Sequence, residues 1–229
     1  MSVHDGHRQR MRERFIIEGL DGFQEVNVLE LLLFYCFPRI DTNEIAHRLL
    51  DEFGSFPNVL EASIDDLKKV KGVGENAATF LSILNATNRY YRIKKTSHIK
   101  TISCPEQYIS VLEPLFTGIK NERLYMLCLD AKSKIITCKL LGEGVSTGAS
   151  VSVRKIMETA LSVNATSVVM AHNHPDGCAV LSQEDKDMTC YVARALRDVE
   201  IELIDHVVFA DSEHISFALD SNYRDYLRN

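Results

Sequence analysis

The chain has 229 residues, enough for one large domain or two small ones, and its 45% hydrophobic and 25% charged content is ordinary for a globular protein. The net charge of −6 is uneven: residues 1–100 carry 14 basic and 14 acidic side chains, so the excess falls in 101–229, and neither half has the basic footprint of a strong nucleic-acid binder. No apolar run reaches the length of a membrane span; the nearest, residues 28–37, is short and carries Glu30.

The first residues hold no apolar core of a signal peptide, so a cytoplasmic chain is expected. The cysteines (Cys36, Cys104, Cys128, Cys138, Cys178 and Cys190) contain no Cys-x-x-Cys pair, which points to reduced thiols rather than disulfides or a zinc knuckle. Residues 1–92 read as all-helical. Asp41-Thr42-Asn43 offers a helix start, with Ile45, Leu49 and Leu50 following at helical spacing until Gly54. Ser63 reads as the cap of a short helix ending near Lys71, and a longer helix is expected from about Glu75 to Tyr91. The basic segment 92–97 reads as a linker, giving a helical domain over 1–95 and a second domain over 101–229.

Between those last two helices, Val70-Lys71-Gly72-Val73-Gly74 resembles the helix-hairpin-helix pattern. The glycines permit a tight turn, whose backbone N–H groups can cradle a phosphate. Gly72, Gly74 and Lys71 are therefore candidate DNA-binding residues, reading backbone rather than sequence, weakly and with strong salt dependence. The bland alternative is a helical packing unit.

From about residue 100 strands and helices alternate. Residues 124–129 and 135–141 form a hairpin about the turn 130–134. Val153, Ile156, Met157, Ala160 and Leu161 mark the apolar face of a helix. Ser167-Val168-Val169-Met170-Ala171 reads as a buried strand leading into His172-Asn173-His174-Pro175. A helix from Gln183 to about Leu196 and a strand over 201–209 complete an α/β sandwich.

In an extended chain residues i and i+2 face the same side, so His172 and His174 can meet one ion. Pro175, with no N–H, stops the strand. Ser182-x-x-Asp185 fits a capping box with Asp in place of Glu, which would hold Asp185 on the first turn of the next helix. Ser182 would then sit beside the ion with its hydroxyl free to donate. Three N/O ligands and an open fourth position suit a catalytic zinc. His206 reads as a packed or surface histidine, with ligand orientation as the alternative. Cys178 offers a soft thiolate near the ion, but a plain loop cysteine is the simpler reading.

The spacing His172-x-His174, seven residues, Ser182, two residues, Asp185 is similar to the JAMM/MPN (JAB) metalloprotease motif, and its context resembles the bacterial RadC family. Gly6-His7-Arg8-x-Arg10-x-Arg12-x-Arg14-Phe15, Leu29-Glu30-Leu31-Leu32-Leu33-Phe34-Tyr35, Pro38-Arg39-x-Asp41-Thr42 and Leu203-Ile204-Asp205-His206 carry the resemblance over nearly the whole chain. It implies a small helical N-terminal domain with a helix-hairpin-helix, followed by a JAB/MPN-like (cytidine-deaminase-like) α/β sandwich. It further implies one Zn2+ on His172, His174 and Asp185, with a water in the fourth place. Glu122 would act as general base, with Glu143 its competitor, and Ser182 would donate to the developing oxyanion.

The chain departs from the family's pattern where Asp176-Gly177 follows the His-Asn-His-Pro run in place of Ser-Gly, where Leu181 replaces a Pro, and where Ser152-Val153-Arg154-Lys155 replaces His-Pro-Arg-Glu. None of these is a proposed zinc ligand; all bear on substrate recognition. The implied function is a zinc-dependent hydrolase acting on peptide or isopeptide bonds of a protein or peptide substrate. The alternatives are a DNA-associated module that docks on branched or damaged DNA, and a non-catalytic zinc scaffold.

Overall fold

The computed structural model describes residues 3–144, 151–175, 177, 180–210 and 213–228. The chain divides into two compact units, Met1–Asn88 and Arg89–Asn229. Among the described residues no helix is long and apolar enough to cross a membrane.

The first unit is helical. It holds α1 (Val3–Glu18), α2 (Glu25–Leu33), α3 (Asn43–Phe53), α4 (Phe56–Glu61), α5 (Ile64–Leu67) and the start of α6 (Glu75–Thr96). Ser55 and Ser63 cap α4 and α5 by accepting from Asn58 N and Asp66 N, and Gly54 ends α3 at φ +83°. Leu29, Leu33, Leu49, Leu67 and Leu81 are fully buried in one core. Helices α2 to α6 all contribute to that core, while Met11 of α1 packs with Leu31 and Phe34 in a smaller cluster. Glu30 is buried among them, with its carboxylate held by Asn43 Nδ2 (3.0 Å) and facing His7 Nε2 (2.9 Å).

The expected linker at 92–97 is a correction. Helix α6 continues through Tyr91 to Thr96. Nothing in Arg92-Ile93-Lys94-Lys95 breaks a helix, and Lys94 and Lys95 in its last turn complement the negative end of the helix dipole.

The second unit is built on a five-stranded sheet of order β2-β1-β3-β4-β5, with β1 (Arg123–Leu129), β2 (Ile135–Glu143), β3 (Ser167–Asn173), β4 (Glu202–Ala210) and β5 (Glu213–Ser216). Among the described neighbouring strands, β3 and β4 alone pair in parallel, and the helix between them makes that crossover possible. In the β1–β2 turn, Asp130 Oδ1 accepts from Lys132 N and Lys134 N. Helix α7 (Pro105–Leu112) packs on one face of the sheet, while α8 (Val153–Ser162) and α9 (Gln183–Arg197) pack on the other. Strand β3 is buried along its whole length, which explains its unbroken apolar run. Alternation sorts its residues: Val168 and Met170 join the core beneath α8 and α9, and Val169 and Ala171 join the core beneath α7.

Candidate metal centre

The alternation along β3 continues past the core. His172 follows Val168 and Met170 onto the α9 face, and Asn173 falls on the α7 face. His174 lies one residue beyond the strand, yet its backbone N–H still donates to Phe209 O at 2.8 Å. Pairing with β4 thus carries the extended geometry through to the second histidine. The Nε2 atoms of His172 and His174 stand 3.0 Å apart.

The third group arrives from the start of α9. Ser182 caps the helix: its Oγ accepts from Asp185 N (3.0 Å), and its own N–H donates to Asp185 Oδ2 (2.9 Å). This box fixes the Asp185 carboxylate over the end of β3. Oδ1 lies 3.0 Å from His172 Nε2, and Oδ2 lies 3.5 Å from His174 Nε2. The Ser182 hydroxyl is not idle, contrary to the sequence reading, because Oγ donates to Asp185 Oδ2 at 2.7 Å.

Two ring nitrogens and a carboxylate, buried or half-buried, thus bring one ligand atom each within 4.8 Å of one another. Tetrahedral ligands on bonds of about 2.0–2.1 Å stand roughly 3.3–3.4 Å apart. The two Nε2 atoms stand 3.0 Å apart and each has an Asp185 oxygen within 3.5 Å, though not the same one, so the donor set is compatible with a metal ion. Burial by itself would raise the Asp185 carboxyl, but hydrogen bonds from His172 and His174 outweigh it and hold the group well below the usual carboxylate range. The site is therefore anionic on its aspartate arm and ready for a cation.

Buried residues around this cluster include Thr189, Phe217 and Asn173, to which sequence reasoning gives no role, and His206, which it reads as packed or surface with ligand orientation as the alternative. His206, on β4, lies behind His172, with Nε2 2.8 Å from His172 Nδ1. Its other nitrogen is 2.7 Å from Thr189 Oγ1, and that hydroxyl donates to Asp185 O at 2.6 Å. Phe217 stacks on the His206 ring at 12° and 5.3 Å between centroids. Complete burial holds His206 well below the ordinary histidine range. Asn173 reaches to the start of β1, where its Oδ1 accepts from Arg123 N (2.8 Å) and its Nδ2 donates to Asn121 O (3.2 Å).

Glu122 is half-buried at the head of β1, and its carbonyl accepts from Gly144 N at 3.0 Å. The β1–β3 register pairs Leu124 with His172 on one face. Glu122 stands two residues before Leu124, just outside β1. Glu143 is paired with Arg123, one residue off, and therefore faces the other side. Arg123 holds it there by two bonds of 2.7 and 3.0 Å.

Gly72, Gly74 and Lys71 lie in the turn between α5 and α6, in the first unit. Gly72 has φ +96°, and Lys71 O accepts from Arg48 Nη1 at 3.0 Å. Nearby Lys68 and Lys69 are paired with Glu75 (2.6 Å) and Asp66 (2.7 Å), so acidic neighbours answer their charge. Asp176 and Cys178 lie outside the described residues.

Comparison with known proteins agrees with this geometry. A family model described as a RadC-like JAB domain matches residues 102–222. A UPF0758 protein of Fusobacterium nucleatum subsp. nucleatum is 34% identical over 221 residues, covering 93% of this chain and 95% of its own. A UPF0758 protein of Ruegeria pomeroyi is 33% identical over 211 residues, covering 92% and 94%.

Proposed function

The chain belongs to the RadC-like JAB family, and on that premise we propose that it is a zinc-dependent hydrolase cleaving peptide or isopeptide bonds in a protein or peptide substrate. Family membership is compatible with hydrolase chemistry, and the His172–His174–Asp185 group can hold a metal ion. The observation that carries the reading is the meeting of His172, His174 and Asp185, one ligand atom from each within 4.8 Å of the others, at the C-terminal end of the parallel pair β3–β4, where open α/β sheets bind their ligands.

When bound, zinc supplies a Lewis acid that brings the acidity of a water toward neutrality. The chain's own groups divide the remaining work. Glu122 takes the water's proton and passes it to the leaving amine as the C–N bond breaks. Its position two residues before Leu124, the cross-strand partner of His172, supports that role, and the Arg123 pairing of Glu143 speaks against the competitor. Ser182 donates its hydroxyl proton to the developing oxyanion, turning it away from Asp185 Oδ2 as it does so.

The test is metal content followed by turnover. Purified protein should carry about one zinc per chain, and His172→Ala with His174→Ala should lose it. Glu122→Gln should keep the zinc and lose hydrolysis across a panel of peptide and isopeptide substrates. Wild-type protein that binds no zinc, even when zinc is supplied, would overturn the proposal. A Glu122→Gln enzyme as active as wild type would remove Glu122 from the mechanism.

A further inference from the structure

Strand β4 carries a second buried polar group directly before His206. Asp205 is fully buried, and three donors meet its carboxyl group. Tyr108 Oη donates to Oδ2 at 2.8 Å, Ser216 Oγ donates to the same oxygen at 2.6 Å, and Ala218 N donates to Oδ1 at 2.9 Å. A carboxyl group taken out of water costs free energy unless such bonds are made, so these three fix where its neighbours stand.

Two of the donors come from one short segment. Ser216 ends β5 and Ala218 follows two residues on, so Asp205 grips the chain on both sides of Phe217. Phe217 N donates to His206 O at 3.1 Å, which ties the middle residue as well. Alternation then decides where the Phe217 ring goes. Asp205 lies on the α7 face of β4 with Val207 and Phe209, and His206 and Val208 lie on the other. Ser216 reaches Asp205 on the α7 face, so Phe217 turns to the face of α9. There its ring stacks on His206 at 12° and 5.3 Å, with the rings of Tyr223 and Tyr226 at 5.7 and 6.1 Å. It also shares a buried cluster with Leu181, the residue before the Ser182 cap.

Both arms of the metal centre therefore lean on one ring. His206 lies 2.8 Å behind His172, and Ser182 holds Asp185 through the capping box. We propose that Asp205 is a positioning residue of the metal centre: by clamping the chain on both sides of Phe217, it holds that ring against His206 and Leu181 and so keeps His172 and Asp185 facing each other. The inference rests on the metal reading above. It concerns where the rings stand, not which of them carries a proton. Asp205 lies on the opposite face of β4 from His206 and acts only through Phe217.

Tyr108 supplies a control within the same cluster. It donates to the oxygen that Ser216 uses, at a similar distance, but from α7 and with no hold on the segment around Phe217.

The experiment uses the full chain. Asp205→Ala strands three buried donors at once and tests folding before it tests the site, so the clamp is taken apart one bond at a time. Ser216→Ala removes one jaw, together with the bond that Ser216 Oγ accepts from Leu219 N. Tyr108→Phe removes a bond to the same oxygen and leaves both jaws. Phe217→Leu keeps an apolar side chain and removes the ring. Zinc affinity is read by chelator competition on the folded proteins. On metal-free protein, NMR reads the carbon-bound ring protons of His206, whose shifts depend on the aromatic ring stacked beside them.

Ser216→Ala should weaken zinc binding about 10-fold, and Phe217→Leu about 10- to 100-fold, the range for groups that support metal ligands. Both should move the His206 ring shifts. Tyr108→Phe should lose thermal stability yet keep the wild-type affinity and shifts. A folded Ser216→Ala protein with wild-type zinc affinity would overturn the proposal. So would equal losses of affinity in Ser216→Ala and Tyr108→Phe, which would make Asp205 a support of the fold at large. A wild-type protein that takes up no zinc would instead sink the metal reading. The metal-free arm would still decide the clamp: His206 shifts that move in Ser216→Ala and not in Tyr108→Phe uphold it, and any other pattern overturns it.

Discussion

Asn173 stands between the two histidines in sequence but acts on the opposite face of the sheet. Its amide accepts from Arg123 N and donates to Asn121 O, gripping the backbone on both sides of Glu122. Asn173→Ala leaves two part-buried backbone groups without that partner, at a cost of about 0.5–1.5 kcal/mol. The ligands stay where they are, so the variant should keep its zinc while turnover falls about 10- to 100-fold as Glu122 loses its aim. Parallel measurement of zinc stoichiometry and kcat checks this; wild-type turnover would show that Glu122 needs no such grip. The contrast with the ligands shows what the sequence discloses at this scale. His172 and His174 are legible because a strand's period of two is local, and Asp185 because a capping box spans only three residues. Asn173, Thr189 and His206 find their partners 50, 17 and 34 residues away, so no spacing rule reveals them.

Most elements are likewise legible where the signal is local. Helix α3 starts beside Thr42 and stops at Gly54, and α9 starts behind Ser182, as their cap residues predict. Strand β5 and helix α7 are not legible in this way, because four residues of edge strand carry too little pattern and α7 is recognised chiefly by what it packs against. The turn between α5 and α6 allows a sharper test. Gly72 has φ +96°, and a Cβ there would meet Ile45 Cγ1 at 3.2 Å and Cδ1 at 3.3 Å; Ile45 sits in the core and has little room to yield. Gly74 has open space where its Cβ would stand. Gly72→Ala should therefore cost about 1–3 kcal/mol through backbone strain and crowding, while Gly74→Ala should stay within about 1 kcal/mol. Urea unfolding of the two variants checks the difference, and equal losses would show that the turn does not depend on the left-handed backbone at Gly72.

On the scale of the whole molecule, every group assigned to the metal centre and its support falls in the second unit, from Glu122 at the head of β1 to Ala218 just after β5. The acidic excess falls there too, since residues 1–100 are balanced. Composition marks such a change of texture but not where to cut. The last turns of α6 belong to the second unit: Arg89 Nη2 donates to Leu115 O at 3.0 Å, and Arg92 Nη2 meets Glu113 Oε1 at 2.7 Å. A fragment of residues 89–229 keeps these ties, whereas one of residues 101–229 severs both and frees the backbone around Glu113–Leu115, next to α7. We therefore expect 89–229 to bind zinc with the stoichiometry and affinity of the full chain, and 101–229 to bind it with lower thermal stability. Chelator competition and thermal unfolding on the three proteins check both. A folded 89–229 fragment that binds zinc more weakly than the full chain would mean that the helical unit contributes to the site, and the division of labour drawn from the ligand positions would be wrong.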